Sequence, residues 1–150
     1  MPIPTHVLLT AVDFNAGLRA AAIGVAIARG LKVGGLPEPD LIVLPRPPKS
    51  GAADIRELLD SLDFDTRMRA ARAVVIADGH LSERTLAGSA TFEIATRARQ
   101  AGVPAYAVAA ENKLDTFDAR ILDLQAILEA GSARALAAAG RKLAGIVFSS

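Results

Sequence analysis

Two aspartates stand where a short apolar run gives way to a polar loop. Asp78 follows Val74, Val75, Ile76 and Ala77 and opens a loop holding Gly79, His80, Ser82, Glu83, Arg84 and Thr85; Gly88 and Ser89 then begin a helical pattern. Asp13 ends the first apolar run and precedes Phe14, Asn15, Ala16 and Gly17. Such runs read as buried parallel strands, and the loops at their carboxyl ends are where open α/β sheets bind ligands. If the two strands are neighbours, Asp13 and Asp78 face each other across one edge of the sheet. Two carboxylates so placed could hold a hard cation such as Mg²⁺ through oxygen ligands, or position a reacting hydroxyl. Each could instead cap the helix that follows, accepting N–H groups that a helix start leaves without partners.

His80 shares the second loop and is the side chain there that titrates near neutrality. Ser82 has neither a Ser-His-Asp setting nor a G-x-S-x-G elbow, so nucleophilic hydrolysis is not expected. Arg84 and Lys113 could meet a carboxylate or phosphate, with a solvated surface as the plain alternative. The pairs Ser50-Gly51 and Gly88-Ser89 could offer backbone N–H groups to a phosphate at a helix start, or be ordinary turns. No G-x-G-x-x-G follows the first strand and no G-x-x-x-x-G-K-[ST] occurs, which excludes a dinucleotide fingerprint and a P-loop. His6 precedes the first strand at the opposite edge and reads as structural.

These loops need a scaffold, and the pattern supplies one by alternating strand and helix. Strands are expected at residues 7–12, 41–44, 74–77, 105–109 and 126–128. Helices are expected at residues 16–31, with Gly30 as a stop, then at 52–62, 90–101 and 116–122, with a turn or short helix near 65–71. Ser132 caps a last helix running to about residue 144. Near-continuous apolar strands joined by amphipathic helices call for a parallel sheet covered on both faces. The expected fold is α/β: a three-layer α/β/α sandwich with a mostly parallel, Rossmann-like sheet of about five strands. The proline-rich loop at residues 45–51 is too short to separate domains, so residues 1–150 are expected to form one.

Composition narrows the function classes. Of 150 residues, 51% are hydrophobic and 22% charged, as in a globular domain. A net charge of +1, dispersed basic residues and only 4% aromatics leave no footprint for nucleic acid. The absence of cysteine excludes disulfides and thiolate chemistry. No apolar run approaches the roughly 20 residues that span a bilayer, and the first residues lack signal-peptide features, so a cytoplasmic protein is expected. Heavy use of Ala and Arg suits a GC-rich bacterial genome.

At three points the chain resembles the type-1 glycerate kinases. Those enzymes open with a strand, a D-S-F-K-G motif and a helix ending in A-I-A-x-G-L. Here Ala11-Val-Asp13-Phe14-Asn15-Ala16 leads to Ala26-Ile-Ala-Arg-Gly30-Leu31. Their later signature is a strand, G-E-G-R-x-D-x-Q-T-x-x-G-K, a helix and G-V-P. The counterpart here runs from Val75 through Asp78, Gly79, His80, Ser82, Arg84, Thr85, Gly88 and Ser89 to Gly102-Val-Pro104. The approach Phe64-Asp-Thr-Arg-Met-Arg-Ala-Ala71 is also similar to the family's segment before that strand. Asn15 and Ser89 stand at the two motif lysines, His80 at the arginine, Ser82 at the aspartate and Arg84 at the glutamine. The chain is far shorter than the family's usual length, and residues 47–53 are a poor substitute for its D-G-G-E-G-T segment.

The resemblance implies Asp13, Asp78 and His80 as catalytic positions, with Asp13 and Asp78 able to hold Mg²⁺. It implies Asn15, Ser82, Arg84, Thr85, Gly88 and Ser89 as substrate or phosphate contacts. Two lost lysines remove charge that phosphoryl transfer depends on. The expected function is therefore a reduced, catalytically impaired relative that binds a small carboxylate or phosphate, or regulates. It is expected to self-associate, or to have a partner cover apolar surface left by the missing domain. One alternative is an active hydroxy-acid kinase using Mg·ATP, with His80, Arg84, Lys49 or Lys113 replacing the lost charges. Another is a signalling receiver, which Asp13 and Asp78 fit; Ala109-Ala110 and Glu129 stand where a hydroxyl and a lysine belong.

Overall fold

A computed structural model of the chain describes residues 3–45 and 52–149. Lys49 and the Ser50-Gly51 pair lie outside the described residues. The elements in chain order are β1 (Val7–Ala11), α1 (Ala20–Val33), β2 (Asp40–Val43), α2 (Ala52–Ser61), α3 (Phe64–Arg69), β3 (Ala73–Ala77) and β4 (His80–Leu81). A 3-10 turn over Glu83–Leu86 follows, then α4 (Ala90–Ala101), β5 (Ala105–Ala109), β6 (Glu111–Asn112), α5 (Thr116–Leu122), β7 (Leu124–Glu129) and α6 (Ala133–Ser149). None of the described helices is long and apolar enough to cross a membrane.

The main sheet has five strands in the order β2-β1-β3-β5-β7, with every pairing parallel. Counting only its own strands, this is the doubly wound order 2-1-3-4-5, whose winding reverses between β1 and β3. Strands β1, β3 and β5 are buried along their whole length, which is why they read as unbroken apolar runs. Val7, Leu9, Ala11, Val75, Tyr106 and Val108 pack under α1 and α6, with Ile23, Ile27, Leu31, Leu136 and Leu143. Leu8, Val74, Ile76 and Ala105 pack on the other side, with Ile55 and Leu59 of α2, Phe64 and Met68 of α3, and Ile94 and Ala98 of α4. The three-layer, Rossmann-like sandwich expected from the strand pattern is therefore present.

Polar contacts fasten the outer layers. Arg67 of α3 grips the Asp40 carboxylate at the start of edge strand β2 with two nitrogens, Nε at 2.9 Å. That bond holds the Asp40 carboxyl below its usual range. Arg97 of α4 reaches Glu93, Asp60 and Asp65, drawing α2 and α3 onto α4. At the amino edge Arg72 donates its N–H to His6 O at 2.8 Å and its guanidinium to Val147 O at 2.9 Å. The same guanidinium lies 5.4 Å from the Phe148 ring centre.

Several details differ from the sequence expectation. Helix α1 starts at Ala20 because residues 14–18 close a tight turn, with Phe14 N donating to Leu18 O at 3.0 Å. Gly30 is interior to α1 and not its stop; the helix ends at Gly34, and Gly35 carries the positive φ of 103°. Strand β7 begins two residues early, and α6, capped by Ser132 as expected (Ala135 N to Oγ, 3.1 Å), runs on to Ser149. The short strands β4 and β6 were not foreseen. They continue the β3–β5 ladder past Gly79, with Glu111 N bonded to Gly79 O at 3.1 Å and Lys113 N to Leu81 O at 2.7 Å.

Gly30 serves helix packing. A Cβ there would overlap the Ala137 carbonyl oxygen of α6 and lie 2.8 Å from Arg141 N; one at Gly140 would overlap the Ile27 carbonyl oxygen. The two helices touch backbone to backbone, and neither backbone can give way as a flexible side chain could. Gly30→Ala should therefore lose about 3 kcal/mol in chemical denaturation, by forcing two layers apart. Gly145→Ala, at an exposed α6 position with nothing within 4 Å, should instead gain about 0.5–1 kcal/mol from helix propensity.

Candidate functional site

Strands β1 and β3 end side by side, Ala11 opposite Ala77, so the loops after them leave the sheet together where the winding reverses. The loops touch at Gly79, where a Cβ would lie 3.0 Å from Phe14 Cα and 3.2 Å from Phe14 O. Phe14 is itself anchored in the core under α1 and α6. The close approach exists because residue 79 has no side chain. Between the loops and the start of α4 lies an open cleft of about 360 Å³, lined by Val12, Asp13, Phe14, Asn15, Ile55, Asp78, Ser89, Ala90 and Thr91. A larger groove of about 670 Å³ between α1 and α6 is mostly alanine, with Val25, Arg29 and Arg134, and brings no such set of groups together.

The two carboxylates share the cleft but differ in state. Asp13 Oδ1 accepts Ala20 N at 2.8 Å, and its Oδ2 lies 3.3 Å from Arg19 Nε. It caps α1 from seven residues upstream, because Arg19 at the N-cap supplies no side-chain acceptor. Asp78 caps no backbone in this way. Its Oδ2 accepts the Thr91 hydroxyl at 2.6 Å, and its Oδ1 lies 3.4 Å from His80 N. Burial pushes the Asp78 carboxyl above the usual range, against the pull of those bonds. A desolvated, oriented carboxyl in a cleft is the kind of group that accepts or releases a proton near its working pH.

Asn15 and Ser89 also line the cleft, with side chains already engaged. Asn15 Oδ1 accepts Gly17 N at 2.9 Å and closes its own turn. Ser89 caps α4, accepting Phe92 N at 3.1 Å while donating to Thr85 O at 2.7 Å. The remaining candidates stand outside the cleft. His80 is exposed in β4, opposite Glu111. Ser82 and Thr85 form a capping box on the 3-10 turn, Thr85 Oγ1 accepting Ser82 N at 3.1 Å. Arg84 is exposed, and Gly88 supplies a φ of 87° to the turn that brings Ser89 inward. Lys113 pairs with Glu111 at the surface. Thr91 is the group that sequence reasoning passed over. Once Ser89 is read as the N-cap, the second helical residue is a hydroxyl beside the end of β3.

Among the described residues no three His, Asp or Glu side chains gather as a cation site. The cleft offers two carboxylates, an amide and two hydroxyls, and the cation beside it, Arg19, already pairs with Asp13. Among the described residues no further cation faces the cleft, so the set does not fit the triphosphate of Mg·ATP, whose charge exceeds the single anionic group that helix-start N–H groups can meet.

The strained ionisation of Asp78 has a measurable sign. A raised folded pKa means that ionised Asp78 costs stability above its unfolded pKa of about 3.9, the cost growing until the pH passes the folded value. Asp78→Asn keeps an acceptor for Thr91 and removes the charge. Its melting temperature at pH 7 should exceed that of the wild type, and the advantage should fade as pH falls towards about 4. Melting curves across that range would check it.

No curated protein matches the sequence. Among solved structures, a protein designated glycerate kinase 2 from Salmonella typhimurium LT2 is similar over 73% of this chain and 28% of its own, at 13% identity and a TM-score of 0.48. The chain thus spans less than a third of that neighbour's length. The model of the glycerate kinase family matches residues 33–142. That span carries β3, Asp78, the 3-10 turn and α4, and it leaves the Asp13 loop before its start. It takes in well over half of the sequence, and on that match the chain belongs to the glycerate kinase family.

Proposed function

We propose that the chain binds a small carboxylate or phosphate ligand in the cleft between β1 and β3, as a glycerate-kinase-like binding or regulatory domain that does not itself transfer phosphate. The observation that carries this reading is Asp78, desolvated and held by Thr91 at the wall of the cleft. A hydroxy acid suits the arrangement. Its hydroxyl would meet Asp78, while its anionic end would meet the first-turn N–H groups of α4 at Ala90 and Thr91. The family's two motif lysines are replaced by Asn15 and Ser89, which close a turn and a helix start. Of the residues offered as substitutes, His80 and Arg84 are exposed outside the cleft, Lys113 pairs with Glu111 at the surface, and Lys49 lies outside the described residues. Among the described residues the cleft lacks the neutralising charge that contributes most to phosphoryl transfer. The domain works in a bacterial cytoplasm, as its cysteine-free, Ala- and Arg-rich composition suits, and it self-associates.

Calorimetric titration with D-glycerate, inorganic phosphate, Mg·ADP and Mg·ATP tests the ligand. D-glycerate should bind the wild type and bind Asp78→Asn at least about tenfold more weakly, while inorganic phosphate should show no such loss, with no ATP consumed. Steady ATP turnover with a hydroxy acid would overturn the non-transferring reading. Absence of binding by all four would remove the ligand.

A further inference from the structure

Most polar side-chain atoms of the β1–β3 cleft are spent inside the protein. Asp13 takes Ala20 N and pairs with Arg19, and Asn15 Oδ1 takes Gly17 N. Ser89 Oγ accepts Phe92 N and donates to Thr85 O, while the Thr91 hydroxyl donates to Asp78 Oδ2. What remains for a ligand is little. Asp78 Oδ1 has only a long contact, 3.4 Å, from His80 N. The amide nitrogen of Asn15, at the exposed rim, donates to no group among the described residues. The first-turn N–H groups of Ala90 and Thr91 are the other donors. One hydroxyl and one carboxylate are enough to occupy this set. The rest of the wall is apolar. Val12, after β1, and Ala90, opening α4, both pack partly open against the cluster that holds Ile55 of α2. Three elements thus present hydrocarbon to the same cleft.

We infer that the cleft selects 2-hydroxy acids whose remaining substituent is a short branched alkyl group, such as 2-hydroxyisovalerate, over glycerate. The inference rests on the ligand reading above and names its substrate class. With the 2-hydroxyl on Asp78 and the carboxylate on the donors, the third substituent of the central carbon turns to Val12, Ile55 and Ala90. In glycerate that substituent ends in a second hydroxyl, which would leave water for a surface with no polar side chain to meet it. In 2-hydroxyisovalerate it is an isopropyl group, which gains by covering the same surface. An apolar wall discriminates modestly against an added hydroxyl, so the preference is one of degree.

Calorimetric titration of the whole chain with D-glycerate, D-2-hydroxyisovalerate and isovalerate is the test. D-2-hydroxyisovalerate should bind at least about tenfold more tightly than D-glycerate. Isovalerate, which lacks the hydroxyl, should bind about tenfold more weakly than its hydroxylated form. Val12→Thr and Ala90→Ser add hydroxyls at partly open positions with little change of shape. Together they should shrink the preference for the alkyl acid about tenfold. Glycerate binding as tightly as 2-hydroxyisovalerate would overturn this inference and leave the ligand reading standing. So would a preference untouched by the double variant, or isovalerate binding as well as its hydroxylated form. Absence of binding by both hydroxy acids would overturn the hydroxy-acid reading itself, and this inference with it.

Discussion

Backbone contact between α1 and α6 is the constraint on which the rest of the molecule depends. Gly30 and Gly140 let the two helices meet without side chains between them. That contact fixes the lower half of α1, while the Asp13 cap fixes its first turn. With both ends held, α1 presses Phe14 into the core, and Phe14 in turn gives Gly79 the surface it rests on. A packing requirement deep in one layer thus sets the width of the cleft at the sheet's carboxyl edge.

The cleft shows how one fold gives two aspartates different chemistry. Asp13 meets a helix start and an arginine, so its negative charge is already used. Asp78 meets a threonine hydroxyl and little water, so its charge is held at a cost. The same loop positions, one strand apart, therefore divide into a helix cap and a desolvated carboxyl at the cleft wall. Their separation follows from which helix begins nearby and what its first residues offer.

Most of the fold was legible in the sequence because the central strands are buried on both faces and read as unbroken apolar runs. Gly30 misled because a glycine late in a helical pattern reads as a stop until the facing helix is known. Strands β4 and β6, at two residues each, are too short to have a period. At the site, Asp13 and Asp78 were legible because sheet topology alone places residues that follow neighbouring strands. His80, Ser82, Arg84 and Thr85 were grouped with them by their shared loop and by the motif it resembles, but neither says which way each side chain faces. Thr91 was hidden in a helix start, where a hydroxyl looks like one more cap.

Arg72 has a further bearing on how the protein can be handled. It gathers the carbonyls of His6 and Val147 at the amino edge of the sheet, beneath the pole that carries the cleft. A five-residue strand, about 17 Å of chain, separates that point from the loops of Asp13 and Asp78. Fluorophores, surface tethers or fused proteins attached beside His6 or Phe148 therefore stand off from the cleft. Immobilised or labelled forms should keep it open to solvent.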